Sequence, residues 1–254
     1  MTSNRIRIAM WSGPRNISTA MMRSFGGRSD CAVSDEPFYG AFLKTTGQRQ
    51  PMADQVIASM DCDWQSVADN MRGPVPDGKP LWYQKHMPHH MVADISIADF
   101  PDHRHAFLIR DPVRVVASYA AKRVEVTADD LGYARLLEYV DQAAQMSGKR
   151  PVILDSSDIL RDPETHLRAL CSALELSWDA GMLAWTAGAR TTDGIWASHW
   201  YGRVVETSGF GKAESIMPSL DDSEQAIADQ CGDAYARLSA LRIKIEGDQP
   251  CGLA

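Results

Sequence analysis

No stretch of this chain reaches the roughly 18 consecutive apolar residues that a membrane-crossing helix needs. Nor is there an excess of basic charge. Against 26 Lys and Arg stand 33 Asp and Glu, a net charge of −7, so the chain offers no general attraction to nucleic acid or anionic lipid. An anion bound here has to be held by a local arrangement of donors. Paired cysteines are missing too. The five present, at 31, 62, 171, 231 and 251, are odd in number, scattered and without CxxC spacing. That argues against a disulfide framework or a zinc site and for reduced thiols in a cytoplasm. The first strand pattern begins about five residues in, which leaves no room for a signal peptide ahead of it. These absences predict a soluble cytoplasmic protein with no nucleic-acid or membrane partner.

What is present is an alternation of short apolar runs with helical patterns, the mark of βαβ units and a parallel sheet. Strands are expected at 6–11 ("IRIAMW"), 31–38 ("CAVSDEPF"), 81–87 ("LWYQKHM"), 104–110 ("RHAFLIR") and 151–157 ("PVILDSS"). Helices are expected at 16–25, near 52–71, after Asp111-Pro112, at 128–147, at 162–176 and at 222–244. Asp111 and Pro112 form a good helix start, a side-chain cap followed by a residue preset for the first turn. Residues 41–78 read as an irregular cap or lid, and 188–212 as a closing segment with little periodicity. The economical architecture is one α/β domain over 1–254, a three-layer fold like that of P-loop NTPases, with a central parallel sheet and an inserted cap.

Three groups of residues can carry chemistry. A strand, then Ser12-Gly13-Pro14-Arg15, then a helix start near Asn16 places free backbone N–H groups at a helix N-terminus, a ready anion site. Arg15 adds a forked cation, and Ser18 and Thr19 add hydroxyls. An ordinary βα turn with an exposed arginine is the plainer alternative. In "FLIRDPVRVVASY", Arg110 ends a strand and so faces the crevice of an open α/β sheet. Ser118 follows eight residues later on the next helix. Arg110 paired with a neighbouring carboxylate is the alternative there. Glu36 and His86 each sit at an expected strand end, and either could take a proton from an attacking group. A helix cap or salt bridge for Glu36, and a satisfied core imidazole for His86, remain open. Lys85 could steady a leaving group, although strand alternation points it away from His86. "HMPHH" (86–90) with His103 and His105 matches no metal-ligand spacing. "GFGKAES" (209–215) lacks the preceding strand and the Ser/Thr of a nucleotide-binding Walker loop.

Taken together the motifs resemble the sulfotransferase family that uses 3′-phosphoadenosine 5′-phosphosulfate (PAPS). "SGPRNIST" (12–19) is similar to the family's 5′-phosphosulfate loop, usually Pro-Lys/Arg-Ser-Gly-Thr-Thr, with Asn16-Ile17 standing where the family has Ser-Gly. "LIRDPVRVVASY" (108–119) resembles its 3′-phosphate motif, with the family's Arg-to-Ser spacing. "DILRDPETHLRALCSALEL" (158–176) resembles a later strand-turn-helix segment. "KHMP" (85–88) is similar to the strand that carries the histidine base of cytosolic members. "EPF" (36–38) resembles the Glu-Pro of carbohydrate-type and some bacterial members. Similarity is greatest to members labelled branched-chain aminotransferase-like, yet no lysine here has a convincing pyridoxal-phosphate context. The family's Gly-x-x-Gly-x-Trp-Lys closure is not present as such, and "ARTTDGIWASHWYGRV" (189–204) is only similar.

The resemblance implies a sulfuryl transfer from PAPS to a hydroxyl or amine of a small-molecule acceptor, with no metal. Gly13, Pro14, Arg15, Asn16, Ile17, Ser18 and Thr19 would hold the 5′-phosphosulfate. Arg110 and Ser118 would hold the 3′-phosphate, with Arg190 as a further contact. Glu36 or His86 would be the base, and Arg15 would stabilise the transferred group. The competing readings are a kinase with a degenerate phosphate loop and a nucleotide-binding module without catalysis.

Overall fold

A computed structural model describes residues 5–123 and 126–245. Five short runs form one sheet: β1 (Ile6–Ser12), β2 (Cys31–Asp35), β3 (Leu81–His86), β4 (His103–Ile109) and β5 (Val152–Asp155). All neighbours pair in parallel, in the order β2-β3-β1-β4-β5. The strands bury apolar residues on both faces because both faces are covered, the condition under which parallel sheets occur. From β1 the chain steps across to β2, returns to β3, and then crosses to β4 on the other side of β1. That reversal opens a crevice at the carboxyl end of β1.

Helix α1 (Ser18–Gly26) links β1 to β2. Between β2 and β3 lie α2 (Tyr39–Thr46), α3 (Ala53–Ser59) and α4 (Trp64–Arg72). After β4 come α5 (Pro112–Ala120), α6 (Ala128–Leu131) and α7 (Tyr133–Ser147). After β5 follow α8 (Ser156–Arg161), α9 (Pro163–Ala173), α10 (Ala197–Trp200) and α11 (Asp222–Leu241).

Alternation along β1 divides the core. Ile8 and Met10 face a layer built from α1, α2 and α9, where Met21, Phe25, Phe42 and Leu170 are buried. Ala9 and Trp11 face the other layer, where α4, α5, α7 and α11 bury Val67, Val116, Tyr139 and Leu238. Each such large apolar side chain contributes roughly 1.5–3 kcal/mol on burial, so slipping a strand by one residue, which would exchange the faces, is strongly disfavoured.

Several expected boundaries move. The expected helix near 52–71 is two helices, separated by Met60–Asp63, with Asp63 capping α4 through the Ser66 N–H. Within the segment 41–78, α4 is a regular helix that buries Val67, Ala68 and Met71 against the sheet, and Gln84 Nε2 donates to the Met71 carbonyl. Its apolar stripe needed a partner, and the sheet supplies it. The helix expected at 128–147 breaks at Gly132, whose φ of 73° ends α6. No helix among the described residues is long and apolar enough to cross a membrane. Cys251 lies outside the described residues.

Candidate functional site

A cleft of about 1040 Å³ opens where β1, β2, β3 and β4 end, walled by the segments that follow each of them. The two helices that border it start differently. Asp111 caps α5 by accepting from the Val113 N–H. No side chain caps α1, so its first-turn N–H groups and its positive dipole end face the cleft beside Arg15, Ser18 and Thr19. Asn16 pins the loop to β4 by donating to the Leu108 carbonyl.

Two residues of this loop, Arg15 (φ 61°) and Ile17 (φ 56°), are left-handed, as is Glu36 (φ 45°) across the cleft. These are half of the six left-handed non-glycine positions among the described residues. Such a conformation costs about 1–2 kcal/mol, most of all for a β-branched residue, and strain of this kind gathers at functional sites. The family's glycine at position 17 suits that backbone; here Ile17 adopts it with its side chain half-buried.

Cations converge on the α1–α5 wall. Arg15 Nε donates to Ser118 Oγ at 2.9 Å. Burial, then Arg110 and Arg203, lower the Arg15 pKa from its usual value, so like charges crowd this guanidinium. Arg110 donates to the Arg15 carbonyl and, at 2.6 Å, to Glu214 Oε2. Arg114 reaches the same Glu214 oxygen at 3.0 Å. A carboxylate therefore sits in the fork of two arginines at the cleft wall, which shows that an oxyanion fits there. Burial opposes the Glu214 charge, but the two arginines hold its carboxyl below the usual range.

The opposite wall is a buried charge network. Lys85 Nζ donates to Asp35 Oδ1 at 2.9 Å, Glu36 Oε1 at 2.6 Å and Tyr201 Oη at 2.7 Å. Tyr201 in turn donates to Asp35 Oδ2. All three ammonium protons are used, as a buried charge requires. Burial works against the Lys85 charge, but Asp35, Glu36 and Tyr201 raise its pKa well above normal. Burial also raises Glu36, opposed by Lys85 and reinforced by Asp35. Glu36 is thus a carboxylate of increased basicity at the cleft wall, suited to receiving a proton. Its second oxygen, Oε2, lies 4.0 Å from His90 Nδ1.

The structure brings Pro14, Arg15, Asn16, Ile17, Ser18, Thr19, Glu36, Arg110 and Ser118 to one cleft. It does not bring three others there. His86 points to the far face of the sheet, stacked on Trp11 at 4.6 Å and bonded to Gln84 Oε1; burial, then His103 and His105, lower its pKa well below normal. Alternation separates Lys85 from His86 as expected, and it is Lys85 that takes the cleft side. Arg190 lines a separate hollow with Arg23 and Lys79. Gly13 is needed for packing, because a Cβ there would stand 2.3 Å from the Leu131 carbonyl oxygen.

Tyr201 and Arg203 fall inside the closing segment expected at 188–212; sequence reading missed Asp35, His90, Arg114 and Glu214. Of these, Asp35 had a signal, its place beside Glu36 at the end of a strand. Of the segment expected to close the site, 188–212, residues from Trp200 to Lys212 line the cleft, and Glu214 and Ile216 carry that wall a little further.

A family model described as a sulfotransferase domain matches residues 6–231. Branched-chain-amino-acid aminotransferase-like protein 2 of Arabidopsis thaliana is 34% identical over 230 residues, 90% of this chain but 40% of that protein. Its paralogue, protein 1, is 37% identical over 204 residues, 80% of this chain and 36% of its own length. The chain thus spans less than half of these curated relatives. In fold it is similar to the sulfotransferase domain of the Synechococcus PCC 7002 olefin synthase, with TM-score 0.57 and 19% identity over 92% of this chain and 95% of that one. A sulfotransferase from Alicyclobacillus acidocaldarius gives TM-score 0.55 and 13% identity over 93% and 95%. The family match begins at the first residue of β1 and ends inside α11, taking in the whole sheet and both helices that border the cleft: the chain belongs to the sulfotransferase domain family.

Proposed function

We propose that the protein transfers a sulfuryl group from PAPS to a hydroxyl or amine of a small-molecule acceptor. The observation that carries this reading is the pair of separate anion-binding points on one cleft wall, faced by a basic carboxylate on the other. The uncapped start of α1 with Arg15, Ser18 and Thr19 suits the 5′-phosphosulfate. Arg110 and Arg114, which hold the Glu214 carboxylate in this structure, suit the 3′-phosphate. Glu36 Oε2 takes the acceptor proton as the acceptor forms its bond to sulfur and the bond from sulfur to the nucleotide's phosphate oxygen breaks. Arg15 and the α1 N–H groups hold the charge that grows on the leaving phosphate.

Two details argue against other chemistry for these residues. Lys85 is an ammonium held by two carboxylates and a phenol. It has no free electron pair for the aldimine that an aminotransferase lysine forms, whatever the relatives' names suggest. The loop also has no lysine for a nucleotide's β- and γ-phosphates.

Binding decides between the readings. Without metal, 3′,5′-adenosine bisphosphate should raise the melting temperature, because a ligand that binds only the native state stabilises it. ATP with Mg²⁺ should raise it less. A larger shift with ATP–Mg²⁺ would favour the kinase reading. Tight bisphosphate binding with no transfer from PAPS to any acceptor would favour a module without catalysis. Glu36→Ala should abolish the fast phase of a single turnover while leaving bisphosphate affinity intact.

A further inference from the structure

Next to Glu36 the cleft wall holds a histidine whose facing nitrogen has no partner. His90 is buried, and its Nδ1 makes no hydrogen bond among the described residues. The ring is clamped between Tyr39 (4.7 Å, interplanar angle 5°) and Phe42 (4.7 Å, 24°), with the His89 ring against its edge at 4.4 Å. It is thus fixed with Nδ1 turned to Glu36 Oε2, 4.0 Å away. Burial, then His89, Lys85 and His86, keep its pKa well below normal, so the contact joins a carboxylate to a neutral imidazole and is not an ion pair. A buried polar atom left unpaired costs about 1–3 kcal/mol, which a ligand atom would recover.

The spacing suits one atom. Two hydrogen bonds of about 2.8 Å that meet at roughly a right angle span about 4 Å. A carboxylate opposite Nδ1 favours the tautomer with the proton on that nitrogen. The gap therefore presents an acceptor, Glu36 Oε2, and a donor, His90 Nδ1–H. A hydroxyl matches both, donating its proton to the first and accepting from the second. An alkylamine reaches neutral solution as an ammonium: Glu36 attracts its charge, but burying that charge is costly and it has no lone pair to accept from the Nδ1–H. A carboxylate has no proton to give and meets the charge of Glu36. Tyr39, Met87 and Trp200 also line the cleft and offer apolar and aromatic surface to the body of such a molecule.

We infer that His90 is the residue that positions the acceptor, and that the acceptor is a neutral alcohol on an apolar or flat body, its hydroxyl bridging Glu36 Oε2 and His90 Nδ1. The inference rests on the sulfuryl-transfer reading and narrows its acceptor from hydroxyl or amine to hydroxyl. In the reaction the proton passes to Glu36; His90 gives up nothing and occupies one lone pair of the hydroxyl oxygen, leaving the other to form the bond to sulfur.

Saturation-transfer NMR on the protein loaded with 3′,5′-adenosine bisphosphate, using benzyl alcohol, benzylamine and benzoate as probes, tests this without turnover. Benzyl alcohol should bind at least about tenfold more tightly than the other two, the effect of roughly one hydrogen bond plus one avoided unpaired group. His90→Leu should lose most of that preference. His90→Asn, whose amide N–H lies near the place of Nδ1–H, should restore it, which a purely packing role for the ring does not predict. Bisphosphate affinity should match the wild type in both variants. Equal affinity for the three probes, or a His90→Leu protein that still prefers the alcohol, overturns the inference. The probe ranking in the wild type needs no variant to fold. If the bisphosphate itself fails to bind, the donor reading falls instead, and the same probe ranking on the protein alone still decides the role of His90.

Discussion

At the α1–α5 end of the cleft, Arg110 and Arg114 share a single carboxylate, Glu214, while Arg15 bears the like charge of Arg110 and Arg203. At the β2–β3 end, Lys85 is enclosed by Asp35, Glu36 and Tyr201 with every ammonium proton spent. The first end holds more positive charge than its own anion neutralises, in side chains that border open space. The second holds more negative charge than its cation neutralises, and nearly all of it is buried. Charge at the second end is internally bonded and supports the fold; charge at the first waits for something brought from outside. The difference can be broken from either side by substitution.

Removing the cation of the buried end should have the largest effect. Lys85→Met leaves Asp35 and Glu36 buried without their counter-charge, a change that costs about 3–5 kcal/mol in comparable buried pairs. Equilibrium unfolding in urea should show that loss. A change under about 1 kcal/mol would mean that the carboxylates are neutral or hydrated and that the contrast drawn above is false.

Acid should act next, through histidines buried on both faces of the sheet. Burial lowers the pKa of His89 and His105 to about 4 and of His103 to about 3, and holds those of His86 and His90 well below the usual imidazole value. For a group depressed in the folded state, the unfolded chain binds more protons as pH falls below its own value near 6.5. Stability is then full above about 6.5 and is lost as pH drops toward 4. Glu36 works in the opposite sense: its raised pKa gives stability below about 4.5 that fades as pH rises. The histidines are more numerous, so unfolding free energy should fall by about 2 kcal/mol or more between pH 7 and pH 4.5. A flat profile over that range would show that the imidazoles reach water.

The strands were legible because buried parallel strands leave short apolar runs, and all five expected runs overlap the strands formed. Arg15, Glu36 and Arg110 were legible because strand ends and helix starts face the crevice in any fold of this class, whereas Ser118, near the end of α5, was reached only through the resemblance's Arg-to-Ser spacing. Which side of the sheet holds the cleft was not. Alternation says that Lys85 and His86 part company, but the choice between them depends on helices far along the chain: α7 places Tyr139 beside Trp11, which stacks on His86. His90 was invisible for a related reason, since a histidine in "PHH" gains meaning only when Tyr39 and Phe42 close on it. Glu214 lies 104 residues from Arg110, and no local pattern joins them.

At the open end, substitution should cost binding and spare the fold. Arg110→Ala removes a charge-assisted contact to the proposed 3′-phosphate, worth about 1.5–3 kcal/mol, or roughly tenfold to a hundredfold in affinity for 3′,5′-adenosine bisphosphate. The half-exposed partner Glu214 should limit the change in stability to under about 1 kcal/mol. Isothermal titration and urea unfolding on the same protein check both halves. A variant that unfolds more easily yet binds as well as the wild type would place Arg110 with the structural charges after all.

The smallest effect, and the most pointed, is expected from Glu214. Its carboxylate occupies Arg110 and Arg114 together, so a ligand anion that wants those donors must first displace it. Glu214→Gln keeps the shape and an accepting oxygen but removes the charge, weakening a half-exposed pair that contributes little to the fold. Bisphosphate affinity should rise about threefold, the range of one exposed ion pair, with no change in unfolding free energy. The gain should shrink in the Arg110→Ala background to the share that runs through Arg114, because substitutions that act on one contact do not add. Should Glu214→Gln bind the bisphosphate more weakly, the carboxylate would be a partner that orients the arginines for the ligand, and the open end would be as internally organised as the buried one.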